Sequence, residues 1–278
     1  MSFVKDQYHI GEVNLADHPH LNPETFKGIL GYDPRLGNGD PRDQCPPLAG
    51  LPLKKASIFQ PPLPGYSPYQ LFTHHASEHD IDGRCHPRAH RFVRRNVPFE
   101  MLIYTDGSCL DQNDAMNTSI RRAGCSFVFK PEPYTMQERS VAFRLEAKGP
   151  TGQESVQTSN RAELRAVIAA LECRRWEGER WKRMVIATDS EYVVLGITQR
   201  IEEWVDRRWR NSAGKAIKNR DLWQYLLDRI NLMGERGVEV VFWRIPRELN
   251  TQADGLAREA ARSQDAPADF SVHHITLM

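Results

Sequence analysis

Apolar and polar positions fall into an orderly pattern only after about residue 98. FEMLIYTDG (Phe99–Gly107) predicts a strand that ends in a turn-forming Asp-Gly pair. AGCSFVFK (Ala123–Lys130) and RSVAFRLEAK (Arg139–Lys148) predict two more strands, joined by a proline-containing turn and therefore antiparallel neighbours. In SNRAELRAVIAALECRRW, Leu164, Val167, Ile168 and Leu171 recur at i, i+3, i+4 and i+7, one apolar face of a helix. MVIAT (Met184–Thr188) is a continuous apolar run, as in a buried strand, and Ser190 can cap a helix reaching about Gly196. Ile201–Trp209 and Leu222–Met233 predict further helices, VEVVFW (Val238–Trp243) a last strand and TQADGLAREAAR a last helix. The order βββ-α-β-α-α-α-β-α implies a five-stranded mixed sheet packed by helices, an α/β domain.

The stretch before it differs in kind. Thirteen of the 18 prolines lie between Pro19 and Pro98, and eight of the 10 histidines between His9 and His90. Proline fixes φ and lacks a backbone donor, so residues 1–98 are expected to form an extended, poorly ordered arm. The domain then spans residues 99–262, with a tail at 263–278. His79, Cys85, His86 and His90 match no standard zinc spacing and are read as a polar loop. Arg84, Arg88, Arg91, Arg94 and Arg95 form a basic run, read as a solvated linker in preference to an arm on a phosphate backbone.

Composition adds mainly exclusions. Of 278 residues, 37 are Lys or Arg and 36 Asp or Glu, so any nucleic-acid footprint must come from local clustering. The longest apolar run, Ala166–Leu171, is far short of the roughly 20 residues that a membrane helix needs. The N-terminus lacks the apolar core of a secretory signal. The five cysteines are odd in number and include no CxxC pair, which fits a reducing compartment: cytoplasm or nucleus, with the mitochondrion left open.

Four acids stand out by where they fall. Asp106 follows the first strand and Asp189 the buried fourth; Glu163 and Asp254 sit near helix starts. In an α/β sheet such positions converge on one edge. Four carboxylates meeting there repel one another unless cations neutralise them, and hard, oxygen-seeking Mg²⁺ or Mn²⁺ suits such a site. Two ions about 4 Å apart can activate water and stabilise the leaving oxygen of a phosphodiester. Taken singly, each acid also has an ordinary explanation as a turn residue, a cap or a charge favoured at a helix start.

YTDGSC (Tyr104–Cys109), TSNRAELRAVIAAL (Thr158–Leu171), TDSEYVVLGI (Thr188–Ile197) and NTQADGLA (Asn250–Ala257) together resemble the ordered motif series of type 1 ribonuclease H. The resemblance covers roughly residues 99–262. It implies the ribonuclease H-like fold and endonucleolytic, metal-dependent hydrolysis of the RNA strand of an RNA–DNA hybrid, leaving 5′-phosphate ends. By motif position, Asp106, Glu163, Asp189 and Asp254 match the family's metal-binding acids. Arg207, Arg208, Arg210, Lys215, Lys218 and Arg220 surround Trp204 and Trp209, a basic segment with aromatics suited to phosphates and sugars, with a core position for Trp204 as the alternative. This stretch resembles the family's basic protrusion, which holds the DNA strand. Thr158 and Asn160 fall where the family holds a DNA phosphate and contacts substrate, and Cys109 joins them as a nucleic-acid contact. Such an enzyme reads shape and 2′-hydroxyls, with little base preference. A monomer is expected.

Several positions depart from the family pattern. Between Trp243 and Asp254 the family usually has a longer loop bearing a histidine; here the loop is RIPRELNTQA, and no histidine occurs from Arg91 to Val272. Proton transfer is then left to water, the phosphate or a neighbour such as Glu248, and general acid–base help is typically worth 10²–10⁴-fold. Ser159 replaces the usual first Asn of NNR, Glu191 replaces a common Gln after TDS, and the first hairpin is enlarged, its Asp111 and Asp114 expected to be solvated. The alternative function is a catalytically weak or inactive module that binds hybrids. Retention of all four acids speaks for the enzyme.

Overall fold

The computed structural model describes residues 55–74, 91–113, 119–131, 139–263 and 265–272, without side chains at 111–113 and 119–120. Among the described residues, seven strands form one mixed sheet: β1 (Ser57–Ile58), β2 (Phe92–Arg94), β3 (Val97–Asn113), β4 (Ser119–Val128), β5 (Ser140–Arg144), β6 (Arg183–Thr188) and β7 (Glu239–Arg244). Their order is β1-β7-β6-β3-β4-β5, with β2 beside the first part of β3. β3, β6, β7 and β1 run parallel; β4 is antiparallel to both β3 and β5. The five expected strands are all present, and β1 and β2 are additions from the segment before residue 98.

The helices are α1 (Pro68–Leu71), α2 (Ser159–Glu172), α3 (Glu191–Leu195), α4 (Ile201–Asp206), α5 (Arg220–Glu235) and α6 (Thr251–Arg262). Thr158 caps α2, its side chain accepting from the Arg161 amide at 3.2 Å, a contact worth about 1 kcal/mol. Leu164, Val167, Ile168 and Leu171 of α2 are buried, as their spacing predicts. A π-turn at Gly196–Arg200 joins α3 to α4, and there the Trp223 ring packs where a Cβ on Gly196 would be.

Strand alternation divides the core in two. Met101, Ile103, Met184, Ile186, Val240 and Phe242 face α2 and α5, whereas Leu102, Tyr104, Val185, Ala187, Val241 and Trp243 face the other way. MVIAT is apolar throughout because both of its faces are covered.

The second face corrects the expected arm. Within residues 55–74, β1 extends the sheet beyond β7, and Phe59 and Phe72 pack on Trp243, with Phe59 at 4.8 Å between centroids. Pro64 occupies a turn and Pro68 the first position of α1, where no donor is needed. Arg91 is no solvated linker residue: it is buried, bonded to Glu179 at 2.7 and 3.1 Å, and lies over the rings of Phe129 and Trp176. The region 263–278 likewise includes a docked segment. Ala147 and Lys148 donate to the carbonyls of Pro267 and Ala268, and the buried Arg165 reaches Glu146, the Ser271 carbonyl and the Phe270 ring. His79, Cys85, His86, His90, Arg84, Arg88, Asp114 and the Asp111 side chain lie outside the described residues.

Candidate active site

Asp106 and Asp189 are neighbours by register. The β3–β6 ladder ends at Tyr104–Ala187, so each aspartate stands two residues beyond it on adjacent parallel strands. Asp106 does not end its strand, as the sequence suggests; β3 runs on to Asn113, paired with β4, and Asp106 sits opposite Ser126 within it. Asp189 follows the last residue of β6.

Glycines bring in the other two acids. A Cβ on Gly107 would meet the Glu163 nitrogen at 2.1 Å, so the bare backbone there admits the first turn of α2. A Cβ on Gly124 would lie 2.4 Å from the Ala257 carbonyl oxygen, and its absence lets α6 settle on β4. The Ser126 hydroxyl, opposite Asp106, donates to the Ala253 carbonyl at 2.7 Å and pins the start of α6, which carries Asp254.

The four expected acids therefore meet around Asp106. Burial pushes its carboxyl up to about 8, and the charges of Asp189, Glu163 and Asp254 push the same way against the Gly107 amide. Glu163 is also raised, chiefly by burial and then by Asp189, while the Ser190 hydroxyl bond and the charge of Arg247 oppose this. These directions mark a carboxylate cluster short of positive charge.

Each of the other acids has its own partner. The Ser190 hydroxyl donates to Glu163 while accepting from the Val193 amide as the cap of α3. Asn250 is buried, and its Nδ2 donates to Asp189 Oδ1 at 2.8 Å and to the Thr105 carbonyl at 3.1 Å. Asp254 accepts from Arg247 at 2.5 Å and forms an ion pair with Arg258 at 3.1 Å. Among the described residues, no three His, Cys, Asp or Glu side chains already converge at metal-ligand distance. The donor set is nevertheless all carboxylate oxygen and suits Mg²⁺ or Mn²⁺.

Asn250, Arg247 and Arg258 were not singled out by sequence reasoning. Asn250 opens the NTQADGLA motif, and a polar residue just before a helix passes for a cap; here its side chain bonds Asp189 and makes no cap bond. Arg247 lies in a 3₁₀ turn, Arg247–Leu249, in the short histidine-free loop before α6, and Glu248 is exposed on that turn. His74 has Nδ1 2.9 Å from the Phe72 carbonyl and Nε2 2.8 Å from the Tyr104 hydroxyl.

The residues expected from the sequence to contact nucleic acid divide. Asn160, Arg207, Arg208, Lys215 and Lys218 are exposed. Thr158 is half-buried as a cap, and Cys109 is half-buried with Sγ 3.6 Å from the Gln157 carbonyl. The two tryptophans correct the expectation of surface aromatics. Trp209 is buried beneath Arg220, and Trp204 packs edge-on against Trp223 at 5.3 Å. Trp209 supports the basic segment from within, and Trp204 is half-buried. Arg208 and Trp209 both adopt left-handed φ, 53° and 63°, and the side chain of Arg208 is exposed while that of Trp209 is buried.

The family model described as RNase H matches residues 98–262. The ribonuclease H of Neorickettsia sennetsu is 33% identical over 169 residues, covering 59% of this chain and 94% of that protein. The ribonuclease H of Xanthomonas oryzae pv. oryzae is 36% identical over 167 residues, covering 58% and 92%. Among solved structures, LC9-RNase H1 is 29% identical with a TM-score of 0.41, covering 60% of this chain and 74% of that one. None of the described helices is long and apolar enough to cross a membrane.

Proposed function

The chain belongs to the RNase H family of nucleases, and from that premise we propose that it hydrolyses the RNA strand of RNA–DNA hybrids endonucleolytically, leaving 5′-phosphate ends. The observation that carries this reading is the meeting of Asp106, Glu163, Asp189 and Asp254, with the Asp106 carboxyl pushed up to about 8 by burial and by the other three. Two Mg²⁺ or Mn²⁺ ions held by these four acids supply the positive charge and Lewis acidity that phosphodiester hydrolysis needs.

The chain's own residues prepare that site. Ser190 holds the Glu163 carboxylate and Asn250 holds Asp189, each from a buried or capped position that restricts rotation. Gly107 and Ser126 fix how closely the helices bearing Glu163 and Asp254 approach Asp106. Such positioning matters because misplacement by about 1 Å can cost about 10²-fold in rate.

Thr158 and Asn160, at the start of the helix that carries Glu163, and Cys109, on the strand that carries Asp106, suit a nucleic-acid backbone lying near the acids. Arg207, Arg208, Lys215 and Lys218 offer an exposed cationic surface on the α4–α5 connection, suited to the phosphates of the DNA strand. The protein acts as a monomer in this reading.

Two variants test it together. Asp189→Asn is expected to abolish cleavage while hybrid binding persists or tightens; full-rate cleavage by this variant would contradict the assignment. Arg207→Ala with Arg208→Ala is expected to weaken hybrid binding and to reduce the slope of log K against log salt by about 1–2. An unchanged slope would remove this segment from the interface.

A further inference from the structure

Asp254 is held from two sides by cations of different character. Arg258 lies one turn further along α6 and meets Oδ2 at 3.1 Å, as an i,i+4 pair of one helix. Arg247 comes from the loop ahead of α6 and meets Oδ1 at 2.5 Å. Its side chain is 64% exposed, while that of Asp254 is 14% exposed. The charge of Arg247 reaches further than its one contact: it favours ionisation of Glu163, and Asp189 and Asp106 in turn act on Arg247. A guanidinium thus stands at the mouth of a carboxylate cluster that is short of positive charge. It is tied there by an exposed ion pair of the kind that is weak and readily exchanged.

We propose that Arg247 is an exchangeable counterion of this cluster, bound to Asp254 Oδ1 until a divalent cation displaces it, so that it sets the metal concentration at which the site fills. Arg247 is then a positioning residue: it keeps Asp254 turned toward the other acids and competes with the ion that Asp254 is to hold. One carboxylate oxygen cannot serve both a close guanidinium and a metal ion at full strength, so each ion bound at Oδ1 releases one ion pair. Arg258 leaves Oδ1 free and competes less. The inference rests on the nuclease reading above, because it requires the four acids to bind divalent metal.

The test is Mn²⁺ binding to the full chain without nucleic acid, followed by the electron paramagnetic resonance signal of free Mn²⁺. Wild type is compared with Arg247→Gln, Arg258→Gln and Asp106→Asn, each checked for folding by circular dichroism. Arg247→Gln is expected to bind Mn²⁺ about three- to tenfold more tightly than wild type, and Arg258→Gln to change affinity less. Unchanged or weaker binding in Arg247→Gln, with binding lost in Asp106→Asn, would overturn the exchange proposal alone. Binding in wild type no stronger than in Asp106→Asn would overturn the nuclease reading and this proposal with it. Arg247→Lys supplies a further check: a shorter, compact cation should restore part of the competition, and affinity equal to that of Arg247→Gln would contradict a charge-based role.

Discussion

A Cβ placed on Gly107 would stand 2.1 Å from the backbone nitrogen of Glu163. The residue after one acid is therefore what lets the helix carrying the next acid approach. Gly107→Ala must push back the first turn of α2, and its expected cost is about 1–3 kcal/mol or more in stability. Cleavage should fall by about a hundredfold as Glu163 is displaced. Chemical denaturation and hybrid cleavage check the two parts; wild-type values in both would show that α2 packs elsewhere.

The raised Asp106 carboxyl gives stability a definite dependence on pH. Its folded pKa of about 8 lies above the roughly 3.9 of an unfolded aspartate, so the folded state holds the extra proton between them. The stabilisation is complete below about pH 4 and is lost as pH rises through about 8. Without divalent ions, melting temperature should fall across that window. Asp106→Asn should flatten the fall and melt higher than wild type at pH 8. Parallel pH profiles for the two proteins would contradict this electrostatic reading.

Much of this was legible in sequence because the signals were local. Leu164, Val167, Ile168 and Leu171 announced one helix face, and the two-sided burial of Met184–Ala187 explains its unbroken apolar run. Glu163, Asp189 and Asp254 could be placed because each adjoins a strand end or a helix start, whereas Asp106 reads as a turn residue yet lies within β3. The contributions of Asn250 and Arg247 were not legible, because each acts on an acid through tertiary contact from a loop that reads as a generic connection. Trp209 misled for the opposite reason: a tryptophan among arginines suggests a surface, yet its ring is buried beneath Arg220. Proline content hid the role of residues 55–74, since prolines suit turns and sheet edges as well as disordered arms.

That segment yields a stability prediction. Phe59 is buried against Phe72 and Trp243, outside the residues that the family model matches. Phe59→Ala should cost about 3–5 kcal/mol, as for a large aromatic removed from a core. Urea denaturation measures it, and a loss under about 1 kcal/mol would mean that the segment is not integral to the folded domain.

The central claim is tested most directly by incubating an end-labelled RNA–DNA hybrid with the purified protein in Mg²⁺, in Mn²⁺ and in EDTA, beside the Asp106→Asn variant. The expected result is cutting of the RNA strand alone, dependent on divalent metal and abolished by Asp106→Asn. Retention of the hybrid without cutting in either metal, or cutting that survives Asp106→Asn, would contradict it.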